Sequence, residues 1–150
     1  MAETWDEQQL IADWFGHVCV EPAWYDGPCS GLVGIDGVAH YFQCDDVDFS
    51  RAPDECFVWP ASEIPVTLER EQWGIFARRN QRYEAGTADI ESHPGQGGID
   101  ARYDELEALL APQRQAPADA RRLVAEWRFD GEGRYRVDGV GHWGRWSPDR

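Results

Sequence analysis

The chain contains no lysine, and all fourteen of its basic residues are Arg. Basic charge of any kind is absent before Arg51, which stands alone between Met1 and Glu63 against thirteen acidic side chains. From Ile64 to Arg150 thirteen Arg meet fifteen acidic residues, so the formal charge of −14 divides into −12 and −2. An imbalance of this kind bears on association and solubility rather than on fold. It repels a phosphate backbone, so direct nucleic-acid binding is not expected, and it favours a basic protein surface as partner. Arg used without Lys, together with many Ala, Gly and Asp, points to high-GC bacterial coding and implies no mechanism.

Other absences narrow the class further. No run approaches the roughly 18 apolar residues of a transmembrane helix, so no membrane partner is expected. The N-terminus is acidic where a secretory signal is basic, and a cytoplasmic location follows as the expectation. There is no internal repeat and no linker. Cys19, Cys29, Cys44 and Cys56 form no tight C-x₂₋₄-C knuckle. In a reducing compartment they read as buried free thiols.

What is present is a folding chain. Hydrophobic residues make up 42% and aromatics 13%, with eight Trp, too rich a supply for a disordered acidic tail. At 150 residues one domain with a real core is expected. Thr4 and Glu7 suggest a capping box for a short helix to Asp13, with Leu10, Ile11 and Trp14 facing inward. A strand over Trp14–Val20 follows, stopped by Glu21-Pro22. Asp36-Gly37 predicts a type I′ hairpin that sets Ile35 opposite Val38, Val33 opposite His40 and Gly31 opposite Phe42. A short strand is predicted at Cys56–Trp59. The middle predicts helices over Leu68–Ala85, capped by Thr67 and ended by Gly86, over Asp100–Leu110, and from Pro117 to about Val124. Strands return at Ala125–Phe129 and Arg134–Val137. The order β, α, β predicts an α+β fold: a small antiparallel sheet or partly open β-barrel carrying about three helices.

Several clusters offer chemistry. His17, Cys19, Cys29, His40, Cys44 and Cys56 are zinc-type donors, yet buried His and thiols explain them without a metal. Cys29 sits in a Gly-Pro turn where a nucleophile would need a His base, and no spacing supplies one. Asp45, Asp46, Asp48, Asp54 and Glu55 form an acidic loop that lacks the EF-hand pattern. That loop reads as an electrostatic contact surface, joined by Trp24 and Tyr25 as aromatic anchors. Trp14, Trp59, Trp73 and Trp127 read as core. Arg78, Arg79 and Arg82 read as a solvent face paired within the helix to Glu71 and Glu84. No catalytic residue, cofactor or metal ligand set is assigned. The leading expectation is therefore a non-enzymatic interaction or inhibitory module, of immunity-, antitoxin- or anti-defence type. The alternative is a small-ligand binder or hydrolase-type enzyme with a pocket between sheet and middle helix, using Tyr25, Cys29, His40, Arg78 and His93.

Overall fold

β2 (Pro28–Ile35) and β3 (Val38–Gln43) meet across Asp36-Gly37 in the predicted register, with Leu32 opposite Tyr41 and Gly31 opposite Phe42. Asp36 at φ 52° and Gly37 at φ 77° are both left-handed, as a type I′ turn requires. The computed structural model describes residues 6–24, 28–44, 55–87, 94, 97–130 and 141–148, side chains excepted at 19–29.

Around this hairpin the remaining strands assemble in order. β1 (Gly16–Trp24) pairs with β2, and β4 (Glu55–Pro60) pairs with β3. β5 (Arg121–Phe129) pairs with β4, and β6 (His142–Pro148) bridges β5 and β1. Among the described residues the six antiparallel strands form a closed barrel, which corrects the expected partly open sheet while keeping the mixed helix-and-strand class. Closure depends on β6, where Gly144 interrupts the apolar alternation by which a strand is recognised. β1 also runs past its predicted stop, because Pro22 falls where the β1–β2 register shifts, an irregularity that tolerates a missing N–H. The predicted strand at Arg134–Val137 lies outside the described residues.

Strand alternation divides the side chains between two environments. Phe42, Val58, Leu123 and Ala125 are buried on the inner face. There Phe42 packs on Trp127 at 5.5 Å and on Trp146 at 5.8 Å between ring centroids. Leu32, Tyr41 and Trp59 point the other way and are covered by α2 (Glu63–Glu84), whose Trp73 and Ala77 join the same core. The helix begins earlier than predicted, with Ser62 rather than Thr67 at its N-cap. Pro65 is tolerated because N–H groups of a first turn have no intrahelical partner. Its buried stripe contains Glu69, Gln72, Trp73 and Ala77, whereas Tyr83 is exposed. α3 (Ala101–Leu110) is capped by Asp100 as predicted and buries Leu106 and Leu110. The expected third helix is absent: a 3-10 turn (Ala111–Arg114) leads instead to β5. Pairing of Leu123 with Cys56 and Val124 with Glu55 across β4 overrides the local helical pattern there.

Cys44 and Cys56 form a disulfide, correcting the expectation of free thiols at that pair. The β3–β4 register explains it: Gln43 faces Phe57, so the next pair outward is Cys44 and Cys56, with Cα atoms 4.1 Å apart.

The N-terminal helix α1 (Glu7–Ala12) is capped by Asp6, whose side chain accepts from the Gln8 N–H, and Thr4 lies outside the described residues. At its other end the Trp14 N–H donates to the Ile11 carbonyl at 3.1 Å and the Phe15 N–H to the Leu10 carbonyl at 2.9 Å. This pair of bonds is a Schellman motif, with Asp13 as C-cap and Trp14 in its left-handed position at φ 67°. The accompanying apolar contact is present: Leu10, 1% exposed, packs with Phe15 and Trp143. Leu10 faces inward as expected, but Ile11 and Trp14 are 57% and 82% exposed, so the reading of both as core is corrected.

Candidate functional site

The charge division seen along the chain persists in space. Seven ion pairs join described side chains, and six of them lie wholly within the second part of the chain. Arg102 holds Glu71 and Glu105; Arg114 holds Glu69 and Glu107; Arg128 and Arg145 both hold Glu126. The seventh, Arg122 with Glu55 at 3.6 Å, crosses between the parts. Asp6, Glu7, Asp13, Asp36 and Glu63 are all exposed. Among the described residues, Arg102, Arg114, Arg128 and Arg145 therefore pair with carboxylates of their own part, and the acidic side chains of the first part other than Glu55 stand at the surface.

Of the residues assigned to partner binding, Asp45, Asp46, Asp48, Asp54 and Tyr25 lie outside the described residues. Trp24 ends β1 with its side chain outside the description. Glu55 opens β4, half-buried against Arg122. The disulfide joins the residues that bracket positions 45–55, so the acidic segment spans a cross-linked β3–β4 connection.

The zinc-type donors do not gather: among the described residues no three His, Cys, Asp or Glu side chains form a cluster suited to a metal. Cys44 and Cys56 are oxidised to each other, His40 Nδ1 lies 2.8 Å from the Val38 carbonyl, and His17 stacks on Trp143 at 4.8 Å. The predicted Arg face is also rearranged. Arg79 is buried with its guanidinium 4.9 Å from the Tyr83 ring, Glu71 pairs across to Arg102, and Glu84 accepts from Asn80. His93 lies outside the described residues.

A buried ionic cluster forms where sequence reasoning expected none. Glu69, 1% exposed, accepts from Arg114 Nε at 2.8 Å. Arg114 also donates to Gln72 and, at 2.9 Å, to Glu107; Gln72 donates to Glu107 at 2.8 Å. Burial pushes the Glu69 carboxyl above its ordinary range, while Arg114 pulls it back. Burial, and then the nearby Glu69 charge, push the Tyr41 hydroxyl up as well. Tyr41 stacks on Trp59 at 5.6 Å, and its buried hydroxyl has no hydrogen-bond partner. These groups border a cavity of about 110 Å³ between the barrel and α2. That is below the several hundred Å³ typical of ligand pockets and suits a few water molecules. The signal in the sequence is the spacing of Glu69 and Gln72 with Trp73 and Ala77, which places two polar residues on the covered stripe.

A wider depression of about 690 Å³ lies over β5 and β6, bordered by Glu126, Trp127, Arg145 and Trp146. Its two charged groups are already bonded to each other, Arg145 to Glu126 at 2.7 Å, and that bond holds the Glu126 carboxyl below its usual range. In each concavity the bordering carboxylate, Glu69 or Glu126, is held by an Arg.

Among the described residues no helix is long and apolar enough to cross a membrane. Comparison with known proteins returns no match to this chain, whether to a family model, to a curated protein or to a solved structure.

Proposed function

We propose that this protein is a non-enzymatic interaction module, inhibitory in the manner of immunity or antitoxin proteins, that meets a basic protein partner through the acidic first part of its chain. One observation supports this reading above the others: among the described residues Arg102, Arg114, Arg128 and Arg145 are bound to carboxylates of their own part, while Asp6, Glu7, Asp13, Asp36 and Glu63 of the strongly acidic first part are exposed. Exposed like charge of this size speeds encounter with an oppositely charged surface and discourages other partners. It also keeps the chain away from nucleic acid. A cytoplasmic location is part of this reading, and the Cys44–Cys56 disulfide is the feature that pulls toward an oxidising one.

The alternative, a ligand pocket between sheet and middle helix, gains less support. The cavity there is small, its carboxylate is engaged by Arg114, and neither His40 nor Arg78 borders it.

The test is affinity capture on immobilised protein at low ionic strength. A partner should be retained at low salt and released in about 0.5 M salt, where the Debye length falls to a few Å. Retention should also be lost when Asp45, Asp46, Asp48 and Asp54 are all changed to Asn. A chain that retains no partner at low salt overturns the reading.

A further inference from the structure

Trp14 is the one large aromatic side chain among the described residues that the fold leaves almost wholly in water. It also sits where the backbone least tolerates it. The left-handed position of a Schellman motif favours Gly, and a bulky residue at positive φ is an outlier. Folding alone would select Gly at this place. Backbone strain of this kind persists where the side chain serves something other than stability.

The surroundings of Trp14 are packed and charged. Beneath it, Leu10 and Phe15 are buried with Trp143. Arg145 lies 4.7 Å from the Phe15 ring centroid and donates to the Asp13 carbonyl at 3.2 Å, so the turn is held from below. In the same short segment Ile11, Glu7 and Asp13 are exposed, as is Asp6 at the helix start, and Arg128 joins Arg145 against the Phe15 ring at 5.3 Å. Glu7 and Ile11 are one turn apart and share a face. Two exposed apolar side chains, Trp14 and Ile11, thus share one short segment with three exposed carboxylates.

We propose that Trp14 and Ile11 form the anchor of a docking surface for a protein segment that is basic and carries an apolar notch. Trp is enriched among residues that dominate interface energies, because it covers a large area with few rotors. The exposed Asp6, Glu7 and Asp13 select the occupant. A second copy of this chain would bring its own Asp6, Glu7 and Asp13 against the same charges, whereas a basic segment is attracted. The inference rests on the proposed interaction function and moves its centre from the acidic β3–β4 segment to the end of α1.

The test uses two synthetic peptides of equal positive charge, one amphipathic with Leu on a single helical face and one with no apolar residue. Each is titrated into the whole protein and its Trp14→Gly variant at low salt, with acrylamide quenching of Trp fluorescence and calorimetry as readouts. The amphipathic peptide should shield one exposed Trp in the wild type and lose about thirtyfold in affinity in the variant, the scale of a hot-spot truncation. The purely basic peptide should bind both proteins alike. The variant should melt at or above the wild-type temperature.

Equal affinity of both proteins for the amphipathic peptide overturns the anchor and leaves the acidic-surface reading standing. Failure of either peptide to bind any form overturns both. A variant that melts several degrees lower makes Trp14 part of the fold and overturns the anchor, as does a homodimer that dissociates on Trp14→Gly.

Discussion

The C-terminus of α2 and the C-terminus of α1 close with the same two backbone hydrogen bonds. At α2 the Gly86 N–H donates to Tyr83 at 3.1 Å and the Thr87 N–H to Arg82 at 2.8 Å. At α1 the equivalent donors are Trp14 and Phe15. The left-handed residue is Gly86 at φ 77° in one motif and Trp14 at φ 67° in the other. The long helix needs little help to end, and its last turn is exposed throughout. The six-residue helix is too short to persist alone, and its closure is stabilised from outside by Leu10 on Phe15, by Trp143 and by Arg145. Local chemistry terminates α2, and tertiary contact terminates α1 in spite of local chemistry.

Truncating the contact beneath α1 should therefore break it most severely. Leu10→Ala removes a side chain that is 1% exposed and should cost about 2–5 kcal/mol, as buried Leu truncations do. Arg82→Ala, at the matching place in α2, should fall within about 0.5 kcal/mol because nothing apolar covers that turn. Urea denaturation with unchanged m-values checks both. Equal costs at the two ends would erase the distinction.

Exchanging the left-handed residues should give opposite signs. Gly86→Ala forces a Cβ into the left-handed region and should cost about 1–2 kcal/mol. Trp14→Gly relieves the same strain, offset by greater freedom of the unfolded chain, and should leave stability unchanged or raise it by up to about 1 kcal/mol. Thermal melts of the two variants decide this. A loss from Trp14→Gly as large as that from Gly86→Ala would mean that Trp14 packs in the fold.

The same contrast explains what the sequence disclosed. Asp36-Gly37, Asp100 and Gly86 were readable because a residue with a special backbone or capping preference stands where that preference is used. Trp14 was not, since a Trp beside Phe15 reads as the start of a buried strand, and only the backbone bonds from Trp14 and Phe15 reverse its direction. β6 and the Cys44–Cys56 pair depend on register between distant strands, which no local window contains. Glu69 and Arg114 were hidden for a related reason. Forty-five positions separate them, and a buried Glu is identified by its partner rather than by its neighbours in sequence. The acidic excess was legible from composition alone, but its persistence depends on pairings such as Arg102 with Glu71, which only the fold supplies.

The smallest expected effect is a pH dependence confined to α1. Arg145 donates to the Asp13 carbonyl at the C-cap, and Glu126 holds Arg145 in place with bonds of 2.7 and 3.1 Å. The bond from Arg145, aided by the charge of Arg128, lowers the Glu126 carboxyl below its usual range. A depressed carboxyl contributes stability that is complete above the ordinary carboxylate value and is lost as pH falls through the lower folded value. Because this pair is largely solvated, the contribution amounts to a few tenths of a kcal/mol. Protonating Glu126 frees Arg145 to leave the last turn of α1, while the end of α2 has no such prop. Native-state hydrogen exchange, normalised to intrinsic rates, should show protection of the Trp14 and Phe15 amides falling as acid is added, with Gly86 and Thr87 unchanged. Glu126→Gln should show the lowered protection at every pH and no further decline. If protection at Trp14 and Phe15 tracks that at Gly86 and Thr87 instead, Arg145 is not what holds the strained turn. The burden would then rest on Leu10 and Trp143 alone.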